Sequence, residues 1–164
     1  MKTALLVIDV QNEYFAGGGF PQENALAVAE KIAAHIPRAR AAGQCVIAVQ
    51  HLAPAGAALL ARDSRGAAPH ESVAALLAAQ PLVQKTHADA FLGTQLAEIL
   101  SAQAIEALDI CGLMTQNCIS HTAPAAAAYQ VRVLGELCAA PTPLIHKIAL
   151  RALADRVPVV AATV

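Results

Sequence analysis

Six short apolar runs are spaced along the chain so that one helical stretch fits between most neighbours, and this alternation restricts the fold more than any other feature. The runs cover Ala4 to Val10, Cys45 to His51, Leu82 to Lys85, Ile105 to Cys111, Val131 to Glu136 and Val157 to Ala162. All are of strand length, and the most apolar of them are hydrophobic on both faces, as strands covered on both sides must be. Helices are predicted over Asn24 to Ala42, Ser72 to Ala79, Thr94 to Ala102, Cys118 to Tyr129 and Pro143 to Arg156, with Asn24 and Thr94 as N-caps and Gly43 as a C-terminal stop. Such alternation builds an α/β fold: a three-layer, doubly wound (Rossmann-like), mainly parallel six-stranded sheet with helices on both faces. The 164 residues are the length of one domain, so residues 1–164 are read as a single unit.

Composition narrows the function classes. The hydrophobic fraction of 57% owes much to Ala, and no apolar run approaches the ~20 residues of a membrane-spanning helix. Met1-Lys2 leads straight into the first strand, so no secretory leader is expected. A formal charge of −1 with scattered Lys and Arg argues against a nucleic-acid surface and for a small neutral or anionic ligand. Cys45, Cys111, Cys118 and Cys138 show no C-x-x-C pairing and read as free thiols in a reducing cytoplasm. The irregular segments Gly17-Gly18-Gly19 and Ala53 to Pro69 each follow the carboxyl end of a strand, where open α/β sheets bind ligands. Neither matches a phosphate-binding glycine motif.

Three residues could carry chemistry together. Cys118 follows an apolar strand and a Gly-containing turn and is expected to open a helix, where unpaired N–H groups and the helix dipole favour a thiolate and could hold an oxyanion. A Cys in an Ala-rich chain is also an ordinary core residue. Asp9 ends the otherwise apolar strand Ala4-Leu-Leu-Val-Ile8 and could accept the thiol proton, or could fasten the Gln11-Asn12-Glu13 turn. Lys85 ends the strand Leu82-Val-Gln-Lys85 and could hold both anions as a buried ammonium, or could be a surface lysine.

The segments around these residues carry a resemblance. Ala4-Leu-Leu-Val-Ile-Asp-Val-Gln-Asn-Glu-Tyr-Phe15 looks like the opening of the isochorismatase-like cysteine hydrolases. Lys85-Thr-His-Ala-Asp-Ala-Phe-Leu-Gly-Thr94 resembles their lysine segment, and Cys111-Gly-Leu-Met-Thr-Gln-Asn-Cys118 their nucleophile turn. The order and spacing are those of the family, and the resemblance covers nearly the whole chain. It implies an Asp9-Lys85-Cys118 triad, an oxyanion hole made by the backbone N–H groups of Met114 and Cys118, and a cis peptide at Leu113-Met114. It implies hydrolysis of a small amide or related C–N substrate, with the cleavage of a vinyl ether, releasing pyruvate, or a catalytically silent binding protein as alternatives. Related proteins commonly associate, so a homodimer or larger homo-oligomer is expected.

The departures concern metal. Nicotinamidases of this superfamily bind a metal through an Asp and histidines after the second strand, whereas Val49-Gln-His-Leu-Ala-Pro54 offers His51 with no Asp-x-His. No metal and no cofactor are expected, and His51 either lines the pocket or is a surface histidine. His87, close to Lys85 in sequence, could also face the site, whereas His146 is expected to pack or cap. With three Phe, two Tyr and no Trp, the aromatic residues Tyr14, Phe15 and Phe91 fall beside Asp9 and Lys85 and are candidate substrate contacts. Phe91 could equally be core.

Overall fold

The computed structural model describes residues 1–162. Its sheet contains β1 (Thr3–Ile8), β2 (Cys45–His51), β3 (Leu82–Lys85), β4 (Ala107–Leu113), β5 (Gln130–Ala139) and β6 (Val159–Val160). All neighbours run parallel in the order β3-β2-β1-β4-β5-β6. Helices α1 (Ala25–Ala41), α2 (Glu71–Leu77), α3 (Leu96–Ala102), α4 (Ser120–Ala125) and α5 (Pro143–Leu153) cover the two faces. The six-stranded doubly wound α/β expectation is met.

β1 shows why the sheet sits centrally. Leu6 and Ile8 pack with α3, α4 and α5 residues such as Leu100, Ala123 and Leu153. Leu5 and Val7, one residue out of phase, pack instead with Ile32 and Ile36 of α1 and Val73 of α2. Four consecutive apolar residues, Leu5 to Ile8, are therefore almost wholly buried. The chain winds outward from β1 through β2 to β3, returns to β4 on the other side of β1, and continues to β6. The reversal falls between β1 and β4, the switch point beside whose carboxyl ends ligands bind in such sheets.

Element ends differ from the sequence expectation for identifiable reasons. β4 extends to Leu113 because Gly112, at φ +122°, can lie flat against Ile8; a Cβ there would sit 1.9 Å from the Ile8 carbonyl oxygen. The helix expected from Cys118 to Tyr129 begins earlier, with a π-helical turn at Thr115–Ile119, and ends at Ala125, one residue past Pro124. Asn24 precedes α1 with a left-handed backbone and no side-chain cap. Thr94 caps α3 from one position further out, its Oγ1 accepting from the Leu96 N–H at 3.2 Å. Gly43 does stop α1: at φ +80° its N–H donates to Arg40 and the next N–H donates to Ala39, which satisfies the last carbonyls.

Replacing Gly112 by Ala should destabilise the protein by about 3 kcal/mol or more, since the methyl group meets backbone and the positive φ adds strain. Urea denaturation compared with the wild type measures this; a change below 1 kcal/mol would show that β4 can move away from β1.

Candidate active site

Asp9, Lys85 and Cys118 converge at the switch point. Asp9 follows β1, Cys118 lies in the turn after the adjacent β4, and Lys85 reaches in from the end of β3, two strands away from β1. All three are buried, with Cys118 and Asp9 at 0% exposure and Lys85 at 1%. Asp9 holds a left-handed backbone at φ +51°, which an Asp tolerates at a cost of about 1 kcal/mol and which turns the chain sharply out of the strand. The peptide bond between Leu113 and Met114, at the start of the nucleophile turn, is cis.

The centre of the cluster is the Lys85 ammonium. It lies 2.8 Å from Asp9 Oδ2 as an ion pair, and it donates to His51 Nδ1 at 3.0 Å, to the His87 carbonyl at 3.0 Å and to Cys118 Sγ at 3.2 Å. Its three N–H groups thus have three acceptors while the carboxylate balances its charge. A buried ammonium persists only with this kind of compensation. The thiol faces the Asp9 carboxylate, whose oxygens take no other hydrogen bond from the described residues.

The protonation state differs from the sequence expectation. Burial, and then the Asp9 charge beside it, push the Cys118 thiol up to about 12, and the Lys85 charge offsets only part of this. Both effects favour the protonated sulfur at rest. Cys118 lies inside the Thr115–Ile119 turn and not at the first position of a helix, and it is sealed against a carboxylate, so lost hydration dominates.

A donor set of the kind zinc uses is present. Asp9, His51 and Cys118 each offer one ligand atom, all within 4.8 Å of one another. The Lys85 nitrogen lies within about hydrogen-bond distance of all three residues, so an ammonium stands where an ion would have to sit. As arranged, the residues do not fit a metal.

The remaining expected residues divide. His51 is in the cluster, and burial, then the Lys85 charge, hold its imidazole below the usual histidine range and keep it neutral. Tyr14 is buried, and its phenol is held protonated by burial and by the nearby Asp9 and Cys118. Phe15 is buried and stacks on His70, centroids 3.7 Å apart. Phe91 packs against the core and stacks on Tyr129 at 6.1 Å. His87 contributes its carbonyl oxygen to Lys85, and His146 reaches the nucleophile turn, its Nδ1 lying 2.9 Å from the Thr115 hydroxyl.

Sequence reasoning missed the segment directly after Asp9. Gln11 Nε2 donates to the His51 and Ala67 carbonyls at 2.8 and 2.7 Å, and Gln11 Oε1 accepts from the His51 N–H at 2.9 Å. Asn12 Nδ2 donates to the Arg65 carbonyl at 3.0 Å. The buried Glu13 carboxylate accepts from the Gly19 N–H at 2.6 Å and the Leu60 N–H at 2.7 Å. Both irregular loops are thereby tied to one short stretch. The carboxylate also accounts for two glycines, since a Cβ at Gly19 or Gly66 would fall 2.6 or 2.4 Å from its oxygens. A cavity of about 530 Å³ lies between these loops and α2, lined by Phe15, Arg65 and His70 but not by the triad residues.

A match to the isochorismatase domain extends over residues 3–163, nearly the whole chain. The chain belongs to the isochorismatase family. It is 32% identical over 145 residues to the uncharacterized isochorismatase family protein YddQ of Bacillus subtilis, covering 87% of this chain and 80% of that one. It is 32% identical over 137 residues to the streptothricin hydrolase of Streptomyces noursei, covering 80% of this chain but 46% of that protein. Among solved structures, an isochorismatase family protein from Desulfovibrio vulgaris superposes with a TM-score of 0.90 at 26% identity, covering 98% of this chain and 94% of that one. The isochorismatase fold thus places Asp9, Lys85 and Cys118 at its switch point, and the family includes hydrolases.

A thiol with its proton held by burial and by Asp9 should alkylate slowly at neutral pH. Burial and the Asp9 charge leave little thiolate near neutral pH. Iodoacetamide labelling of Cys118, followed by peptide mass mapping, should therefore keep rising beyond pH 10. Asp9→Asn removes a contribution that raises the thiol and should speed labelling at pH 8. Rapid labelling of the wild type at pH 7 would contradict the resting thiol.

Proposed function

We propose that this chain is a cysteine-dependent hydrolase of a small amide or related C–N substrate, working through a thioester acyl-enzyme without a metal or other cofactor. The observation that carries this reading is the juxtaposition of a buried thiol, a carboxylate free to take its proton and an ammonium that holds both. Asp9 takes the Cys118 proton as Sγ attacks the carbonyl carbon. The carbonyl π electrons move to oxygen, and the resulting oxyanion is held by the backbone N–H groups of Met114 and Cys118. The C–N bond then breaks, its electron pair taking the proton from Asp9, and ammonia or an amine leaves. Water, deprotonated by Asp9, attacks the thioester, and the thiol is restored as the acid departs.

A resting thiol suits this scheme. The proton needed by the leaving nitrogen is already in the site, and the thiolate forms only as the carbonyl arrives. Lys85 positions Asp9 through the ion pair, and its contact with Sγ opposes the rise in the thiol caused by burial. Tyr14 and His51 border the reacting atoms. Phe15 and Phe91 act one layer further out, shaping the walls through His70 and Tyr129.

A panel of primary amides, ureides and amine-linked amides, assayed for ammonia or amine release, tests the reading. Cys118→Ala should lower turnover of any active compound by at least about 10⁴-fold, and Asp9→Asn by about 10²- to 10⁴-fold. Amide turnover that survives Cys118→Ala would contradict the thiol nucleophile, and a wild type that releases pyruvate from a vinyl ether in place of amine from the panel would favour vinyl ether cleavage. An inactive wild type across the panel would favour a silent binding protein.

A further inference from the structure

We propose that Lys85 fixes the tautomer of His51, and that the N–H so placed on Nε2 is the donor by which the site selects an acyl group carrying a hydrogen-bond acceptor beside the scissile carbonyl. The substrate contact rests on the amide hydrolase reading; the tautomer does not. The acceptor is a carbonyl or carboxylate oxygen or a ring nitrogen on the acyl side of the substrate.

The argument begins at Lys85. An ammonium has protons and no lone pair, so a ring nitrogen 3.0 Å from it must be the unprotonated one. That nitrogen is Nδ1, and a neutral imidazole then carries its single proton on Nε2. The neutral state follows from burial and from the Lys85 charge, which together hold His51 below the usual histidine range, against the smaller opposing effect of Asp9. The ring is also anchored through its backbone. Gln11 accepts from the His51 N–H at 2.9 Å and donates to the His51 carbonyl at 2.8 Å, so the residue is held from both sides of its peptide.

The Nε2–H has no role inside the protein. Among the described residues it has no hydrogen-bond partner, nor is it one of the sealed, unpaired polar atoms, because His51 is only half-buried. A ring nitrogen of His51 also lies within 4.8 Å of the Cys118 sulfur. A substituent on a carbonyl carbon bonded to that sulfur falls within reach of the ring. A rigid donor at a half-buried site discriminates against a substrate that leaves it unpaired, because bringing an acyl group against it strips its water whether or not a partner is supplied.

Two arms test the proposal. Nitrogen-15 NMR of the histidine rings in the wild type at pH 7.5, with His51 assigned by its absence in His51→Gln, should show Nε2 protonated and Nδ1 bare. An Nδ1-protonated ring or an even mixture overturns the proposal. In the second arm, the amide returned by the panel above is assayed with two variants. His51→Asn keeps an acceptor near Nδ1 and removes the donor; His51→Gln puts an amide N–H close to the Nε2 position. KM should rise about tenfold in His51→Asn with kcat changed less than about threefold, and His51→Gln should recover much of the loss. An unchanged KM in His51→Asn overturns the substrate contact. If no amide is turned over, the amide reading and the contact fall together, and the tautomer stands or falls on the spectra alone.

Discussion

The Lys85 ammonium is the interaction on which the rest of the site depends. A positive charge at 1% exposure is tolerated only if its protons and its charge are matched, and here three acceptors and one carboxylate do so. Each partner is fixed in turn by Lys85. Asp9 is held by the ion pair, Cys118 is held with its sulfur between ammonium and carboxylate, and His51 is held with Nδ1 turned to it. The same ammonium takes the position that a metal ion bound to Asp9, His51 and Cys118 would require.

Topology makes the arrangement possible. Asp9 and Cys118 are distant in sequence, yet β1 and β4 are neighbours because the chain reverses its winding there. Gly112 lets β4 run alongside the end of β1 with its backbone almost touching Ile8, so that the turn carrying Cys118 starts beside Asp9. Gln11, Asn12 and Glu13 then tie the two surrounding loops to the stretch that carries the carboxylate. The proposed base and the anchors of the binding loops belong to one continuous segment, so a shift in one is felt by the other.

Much of this was legible before any coordinates. The alternation of apolar runs gives the layers, and β2 and β3 have the bounds expected of them. Asp9 and Lys85 stand out because a charge at the end of an apolar strand is costly unless it is paired, and they are indeed paired with each other. What the sequence could not carry is what depends on neighbours far along the chain. Nothing in residues 107–113 says that β4 lies next to β1. The protonation of Cys118 depends on how deeply it is sealed and on the carboxylate it faces, neither of which is local in sequence. The Glu13 clasp was hidden because its partners are backbone N–H groups, although the glycines at Gly19 and Gly66 were a visible sign of something packed tightly against them. Phe15 and Phe91 are rare aromatic residues close in sequence to the site, and their stacking on His70 and Tyr129 depends on residues far along the chain.

The central claim is that the Cys118 sulfur, poised by Asp9 and Lys85, takes the acyl group of a substrate. Rapid acid quenching during turnover of an active amide, followed by mass spectrometry of the peptide containing Cys118, tests it most directly. The account predicts an acyl thioester on Cys118 that forms and decays at rates compatible with turnover and that is absent in Cys118→Ala. Full turnover with no acyl group on Cys118 at any quench time, together with an active Cys118→Ala enzyme, would contradict it.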